Sequence, residues 1–325
     1  MIAAMFWTRA VLTLGLMMLA RGAAAQTAHG EVPPENWGAP EVVEVQAAPG
    51  PAVWHLIRGE SEVWILGTVG AMPDDLKWNK DFLDGLIEGA RAILMPPRPS
   101  IGLLEGAWFL IVHGDELSLP RGQKLEPSLP EPLRDRFVAT RESLDEKAGH
   151  YDTDTPLRAA FRLFGDLSDK LDLSRDEPRD TIRRLARAHH VKMAPIARYE
   201  VLDAAADVLK LSFDQQRACL AQAVDDVDRM SRHAVAAADA WAIGDIRTVK
   251  ANYGQSRLLD CVTAAVHSVA DISERDVADY ASAIDQALNQ PGKTIAVIDI
   301  GPLLRQNGVL ERLEAMGVTI EGPAE

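Results

Sequence analysis

The run His113-Gly114-Asp115-Glu116 sets one imidazole beside two carboxylates, donor types that together can hold a divalent metal. All three donors fall within four residues on a polar stretch, so the run reads as a solvated turn rather than a ligand set. The other histidines are scattered. His189 and His190 close a helical pattern where cationic rings complement the helix C-terminus, and His55 sits between Trp54 and Leu56 in a strand pattern. The tetrapeptide PGKT at 291–294 invites a phosphate-loop reading, but Ala287 stands where the pattern needs its first glycine, and the stretch precedes a strand instead of following one. No G-x-S-x-G, H-E-x-x-H, G-x-G-x-x-G or paired C-x-x-C occurs. Cys219 and Cys261 are the only cysteines and read first as a disulfide, worth about 4 kcal/mol through the unfolded-state entropy of the loop they close.

The elements that would position any chemistry follow from periodicity. Residues 52–68, AVWHLIRGESEVWILGT, are two runs rich in Val, Ile and Trp around a polar turn, which predicts a β-hairpin. NKDFLDGLIEGA at 79–90 has helical spacing, and RAILM then reads as a short buried strand stopped by PPRP. SRDEPRDTIRRLARAHHV predicts a helix opened by Ser174 and Glu177 at capping-box spacing, and VKMAPIA a strand after it. Ser212 and Gln215 form a second capping box ahead of a long helix whose stripe Leu220, Val224, Val227, Met230, Ala234, Ala238, Trp241 faces a core, and Gly244 ends it. RDVADYASAIDQAL is another helix, TIAVIDI a strand buried on both faces, GVLERLEAM the last helix, and VTIE an edge strand. WFLIV at 108–112 reads as part of a core helix, with a partner surface as the alternative. The expected fold is α/β: a central, mostly parallel or mixed sheet opened by a β-hairpin, flanked by helices, with a large helical insertion over about 140–290. One internal echo stands out, a buried strand running into a glycine turn at WILGTVG and again at AVIDIGP.

Residues 1–25 carry Arg9, an apolar run and the string Ala23-Ala24-Ala25, a secretory signal with cleavage expected after Ala25. The apolar run is too short for a membrane span, so no stable span is expected after cleavage. Residues 26–51, with five prolines, form a tether, and residues 52–325 one domain. Cleavage removes Arg9 and Arg21 and no acid, taking the formal charge from -14 to -16, which excludes a nucleic-acid role. The expected location is periplasmic or secreted.

PAVWHLIRGESEVWILGTVGAMPDDLKWNKDFLDGLIEGARAIL resembles the opening of the TraB/GumN family, the Tiki-like group of proposed metal-dependent peptidases. LPRGQKLEPSLP, AWAIGDI, SERD and AVIDIGPLLRQNGVLERLEAMGV resemble its later landmarks in the same order. In that family two G-x-x-H turns after buried strands and a glutamate ending a third strand are proposed to gather a divalent metal, which would polarise a carbonyl and activate water. Carried over, the first histidine falls on Gly70, the glutamate at or beside Pro96, and the second histidine on Pro302. None of these side chains can donate to a metal, so the resemblance implies vacated metal positions, no cofactor, and a fold kept without its hydrolase chemistry.

The leading expectation is an exported binding or scaffolding module. Its pocket would lie beyond the carboxyl ends of the strands and be lined by Thr68, Gly70, Arg98, Arg198 and Asp299. The partner would be an unknown small molecule, a peptide or an envelope protein. The alternative is a metal-dependent hydrolase rebuilt around Asp299, Glu60 or His55, which requires a metal or a strongly perturbed carboxylate in the pocket.

Overall fold

The computed structural model describes residues 50–70, 72–174 and 177–323. The expected signal sequence, its expected cleavage point and nearly all of the expected tether lie outside them. The hairpin forms as expected: β1 (Val53–Arg58) and β2 (Ser61–Thr68) pair antiparallel, and Gly59 takes the left-handed φ of +60° that the tight turn requires. β3 (Met72–Pro73) and α1 (Lys80–Ile87) follow, the helix capped by Asn79 accepting from the Phe82 N–H at 2.9 Å, and then β4 (Ala92–Met95) and β5 (Arg98–Ser100).

The middle of the chain is helical. It comprises α2 (Leu103–His113), α3 (Leu125–Ser128), α4 (Glu131–Ser143), α5 (Pro156–Lys170), the short β6 (Leu173–Ser174), α6 (Arg179–Ala188), β7 (Lys192–Pro195) and β8 (Arg198–Glu200). Then come α7 (Leu202–Leu209), α8 (Phe213–Ala242), α9 (Ile246–Asn252), α10 (Arg257–Ala265) and α11 (His267–Leu288). The chain returns to the sheet through β9 (Gly292–Asp299), α12 (Ile300–Leu304), α13 (Val309–Ala315) and β10 (Ile320–Glu321).

The main sheet has six strands in the order β10-β1-β2-β9-β4-β7. β2, β9, β4 and β7 run parallel, while β1 pairs antiparallel with both β2 and β10. The fold is therefore α/β with a mixed, mostly parallel sheet, as the sequence implied. Thr294 to Ile298 of β9 are fully buried, because helices cover both faces. Trp241 of α8 and Tyr280 and Ile284 of α11 pack on one face, and Leu83 and Ile87 of α1 with Ile182 and Ala186 of α6 on the other. A further core joins α4, α5, α10 and the first half of α8, and within it Cys219 and Cys261 form the expected disulfide with Cα atoms 5.5 Å apart.

Three expectations need correction. The α6 helix starts at Arg179, because Ser174 ends β6 and its hydroxyl caps the turn by accepting from the Glu177 N–H at 3.0 Å. The helix over RDVADYASAIDQAL begins earlier, at His267. The apolar run 108–112 lies on α2 but is not core: Trp108, Ile111 and Val112 are exposed, since α2 packs mainly on α7 and on the 3-10 turn Gly114–Leu117. The long helix α8 begins and ends as expected, and most of its stripe is core, but Met230 and Ala234 are half-buried and line a cavity instead. Its Ser212–Gln215 capping box forms, and Gly244 ends it with φ of +77°.

Candidate ligand cavity at the strand ends

The two echoing segments are neighbours in space. β2 and β9 pair in parallel register from Ser61↔Gly292 to Thr68↔Asp299, so both glycine turns leave the sheet side by side at its carboxyl edge. The Thr68 hydroxyl donates to Asp299 Oδ1 at 2.7 Å, and Arg179 Nη2 lies 3.7 Å from Asp299 Oδ2. Asp299 stands at the N-cap of α12 yet makes no capping bond, so its carboxylate serves Thr68 and the space beyond. Gly67 is fixed from below, where its carbonyl accepts from the buried Trp241 indole at 2.7 Å. A Cβ on Gly67 would come within 2.8 Å of the Trp54 ring, so only glycine lets this backbone pass.

Above the strand ends opens a cavity of about 560 Å³. One side is Gly70, Asp299, Gly301, Pro302 and Arg305; the other is Phe161 and Phe164 of α5, Met230 of α8, and Leu258, Leu259 and Val262 of α10. Its charges are largely engaged. Buried Asp226 accepts from Arg229 at 2.8 Å, the Ser256 hydroxyl at 3.1 Å and the Leu258 N–H at 3.0 Å, while Arg305 donates to Ser273 through both terminal nitrogens. The Tyr253 hydroxyl lies against Gly70, 3.7 Å from where a Cβ there would stand, and its pKa is pushed up to about 12 by burial and by nearby Asp299.

Of the expected pocket residues, Gly70 and Asp299 line this cavity with Pro302, and Thr68 lies one hydrogen bond behind. Pro96 follows β4 and is not among the lining residues. Arg98 and Arg198 face each other across the small parallel pair β5–β8, exposed and off the cavity. Two groups weighed for a rebuilt site are misplaced by strand direction. Glu60 is in the hairpin turn at the opposite end of β2, and His55 stacks on Trp64 within the sheet, bonded to Glu62 at 3.0 Å.

A polar layer beside Asp299 went unread in the sequence. Asp276, Asp279 and Tyr280 lie on one face of α11, at spacings of three and four that RDVADY displays but that nothing local ties to the strand ends. Tyr199 donates to Asp279 at 2.8 Å. Burial raises Tyr199 and Tyr280 well above the usual phenol range. Asp276 Oδ1 is buried without a hydrogen-bond partner among the described residues, and burial followed by the charge of Asp299 raises this carboxyl to about 6 against the opposing pull of Arg305. The native state thus holds this proton more tightly than the unfolded chain, so the associated stability is present below about pH 4 and is lost as pH rises through 6. Asp276→Asn is expected to stabilise by about 1 kcal/mol near pH 7.5, after discounting for partial exposure, and to have little such effect near pH 3.5. Paired thermal melts at the two pH values measure this.

A second polar group lies elsewhere. His150 Nδ1 is 3.0 Å from Glu146 and its Nε2 3.2 Å from Asp166, an arrangement with metal-ligand character. Arg162 occupies the cation position: Nη2 is 2.8 Å from His150 Nε2, Nη1 donates to Asp154 at 2.5 Å, and Tyr151 donates to Asp166. The group is therefore an arginine-centred charge network within the helical part.

Fold and site together define an open α/β protein with a ligand-sized cavity at the carboxyl ends of its parallel strands. The TraB/PrgY/gumN family model matches residues 52–322, and the chain belongs to that family. Neither curated proteins nor solved structures gave a match. At the cavity the residues present do not fit a divalent metal: Gly70, Gly301 and Pro302 offer no donor side chain, Asp226 is saturated by its bonds, and Asp299 is a single carboxylate already bonded to Thr68. Among the described residues no helix is long and apolar enough to cross a membrane.

Proposed function

We propose that this protein is an exported TraB/GumN-family member that has given up metal-dependent hydrolysis and binds a ligand, or scaffolds a partner, through the cavity at the ends of β2 and β9. One observation carries the reading. Two of the three positions where the family resemblance expects a metal ligand are Gly70 and Pro302, and both face this cavity without a donor atom. Export is supported by the signal-like residues 1–25 and by a disulfide of the kind that persists in oxidising compartments. Asp299, Tyr253 and Arg305 give the cavity a polar side opposite a wall of Phe, Leu and Met, which suits a small molecule or peptide with one polar end and an apolar body.

A second reading is favoured by the raised Asp276. A buried Asp276 carboxyl that holds its proton up to about pH 6, within electrostatic reach of Asp299, is the kind of group a hydrolase uses for general acid–base work. Elemental analysis of the purified protein, a peptidase and esterase screen with and without chelator, and a ligand screen by thermal shift separate the two. The binding reading expects no stoichiometric metal, no turnover, and ligand-induced melting shifts that Asp299→Ala or Met230→Trp removes. Turnover abolished by Asp299→Ala, with an unchanged melting temperature, would establish the hydrolase instead, and chelator sensitivity would mark it as metal-dependent.

A further inference from the structure

The α2 helix presents an apolar face that nothing among the described residues covers. Leu104, Trp108 and Ile111 are 87%, 67% and 75% exposed, and Val112 and Ile101 are about half exposed. At 3.6 residues per turn, Leu104, Trp108, Ile111 and Val112 fall within a sector of about 100°, a continuous stripe. Phe109, outside that sector, packs on His113 with ring centroids 4.7 Å apart. The only acid on the helix, Glu105, is turned back to accept from the Gly102 N–H, leaving the stripe free of charge.

We infer that this face pairs with the same face of a second copy in an isologous two-fold dimer. The five side chains expose on the order of 600 Å² of apolar surface, larger than a monomer ordinarily leaves bare and close to the roughly 800 Å² per partner of a stable interface. A two-fold axis across α2 sets each stripe against its equal, so an uncharged face meets an uncharged face. A lipid surface fits less well, since interfacial helices carry Lys and Arg on their polar face and α2 carries none. The chain is strongly acidic, at -14 in full and -16 without residues 1–25, so two copies repel and association strengthens as salt is added.

Sedimentation velocity of the purified chain up to about 50 μM should show twice the monomer mass, and Trp108→Glu with Ile111→Glu should weaken association about 100-fold or more while leaving the circular dichroism spectrum unchanged. Leu104→Cys combined with Val112→Cys provides an arm independent of that variant, because a two-fold axis across α2 sets residue 104 of one copy opposite residue 112 of the other, while the two lie too far apart along one helix to bond within it. Cys219 and Cys261 are bonded to each other, so oxidation should yield a dimer linked through the introduced thiol pairs alone. A monomer at the highest concentration, a dimer indifferent to both glutamates, or a failure of the introduced thiols to cross-link would each overturn the proposal. A monomer that floats with phosphatidylcholine vesicles would overturn it too, and would assign the face to lipid.

Discussion

Trp241→Ala is expected to lower stability by about 3–5 kcal/mol, the loss typical of emptying a fully buried aromatic site. Trp241 has no exposed surface, packs edge-on against Trp78 with centroids 5.3 Å apart, and lies in the core that joins α8 and α11 to the sheet. Its indole N–H is also the partner of the buried Gly67 carbonyl. Trp241→Phe keeps most of the volume and leaves that carbonyl unpaired, so it should cost about 1–3 kcal/mol. The two variants separate packing from hydrogen bonding in a denaturant titration. Both should also weaken any ligand of the cavity, because Gly67 leads directly into Thr68 and Gly70. A Trp241→Phe protein as stable as the parent would show that the indole bond contributes nothing net.

Replacing Cys219 and Cys261 with alanine should cost about 4 kcal/mol in the chain-entropy account of a cross-link spanning 42 residues. The bond ties α8 to α10, and these helices supply Met230, Leu258, Leu259 and Val262 to the cavity wall. Reductant is therefore expected to lower ligand affinity along with the denaturation midpoint. The sheet core is made by other segments, so strand-dominated signals should persist to higher denaturant than the signal of the helical part. Coincident loss of both signals in the reduced protein would argue that the two cores unfold as one.

Elements governed by near neighbours in the chain could be read directly. The Ser212–Gln215 capping box, the Gly244 stop and the β1–β2 hairpin each depend on contacts within a few residues, and all three form as expected. The start of α6 could not be read, because the Ser174 hydroxyl caps the turn before the helix instead of the helix itself. Exposure of the 108–112 run was equally hidden. An apolar stripe has the same spacing whether or not another element arrives to cover it.

The cavity divides along the same line. Gly70 and Pro302 in the cavity wall are facts of covalent chemistry, and with them goes the absence of donor side chains at those two positions, whatever the fold. The pairing of Thr68 with Asp299, the layer of Asp276, Asp279, Tyr199 and Tyr280 beside them, and the wall from α5, α8 and α10 unite residues far apart in the chain. Periodicity assigns a residue to one face of its own helix or strand and says nothing of which distant face it will meet. That choice belongs to the packing of helices on the sheet, and so the sequence determined that positions 70 and 302 offer no donor side chain, while tertiary structure alone decided which groups surround them.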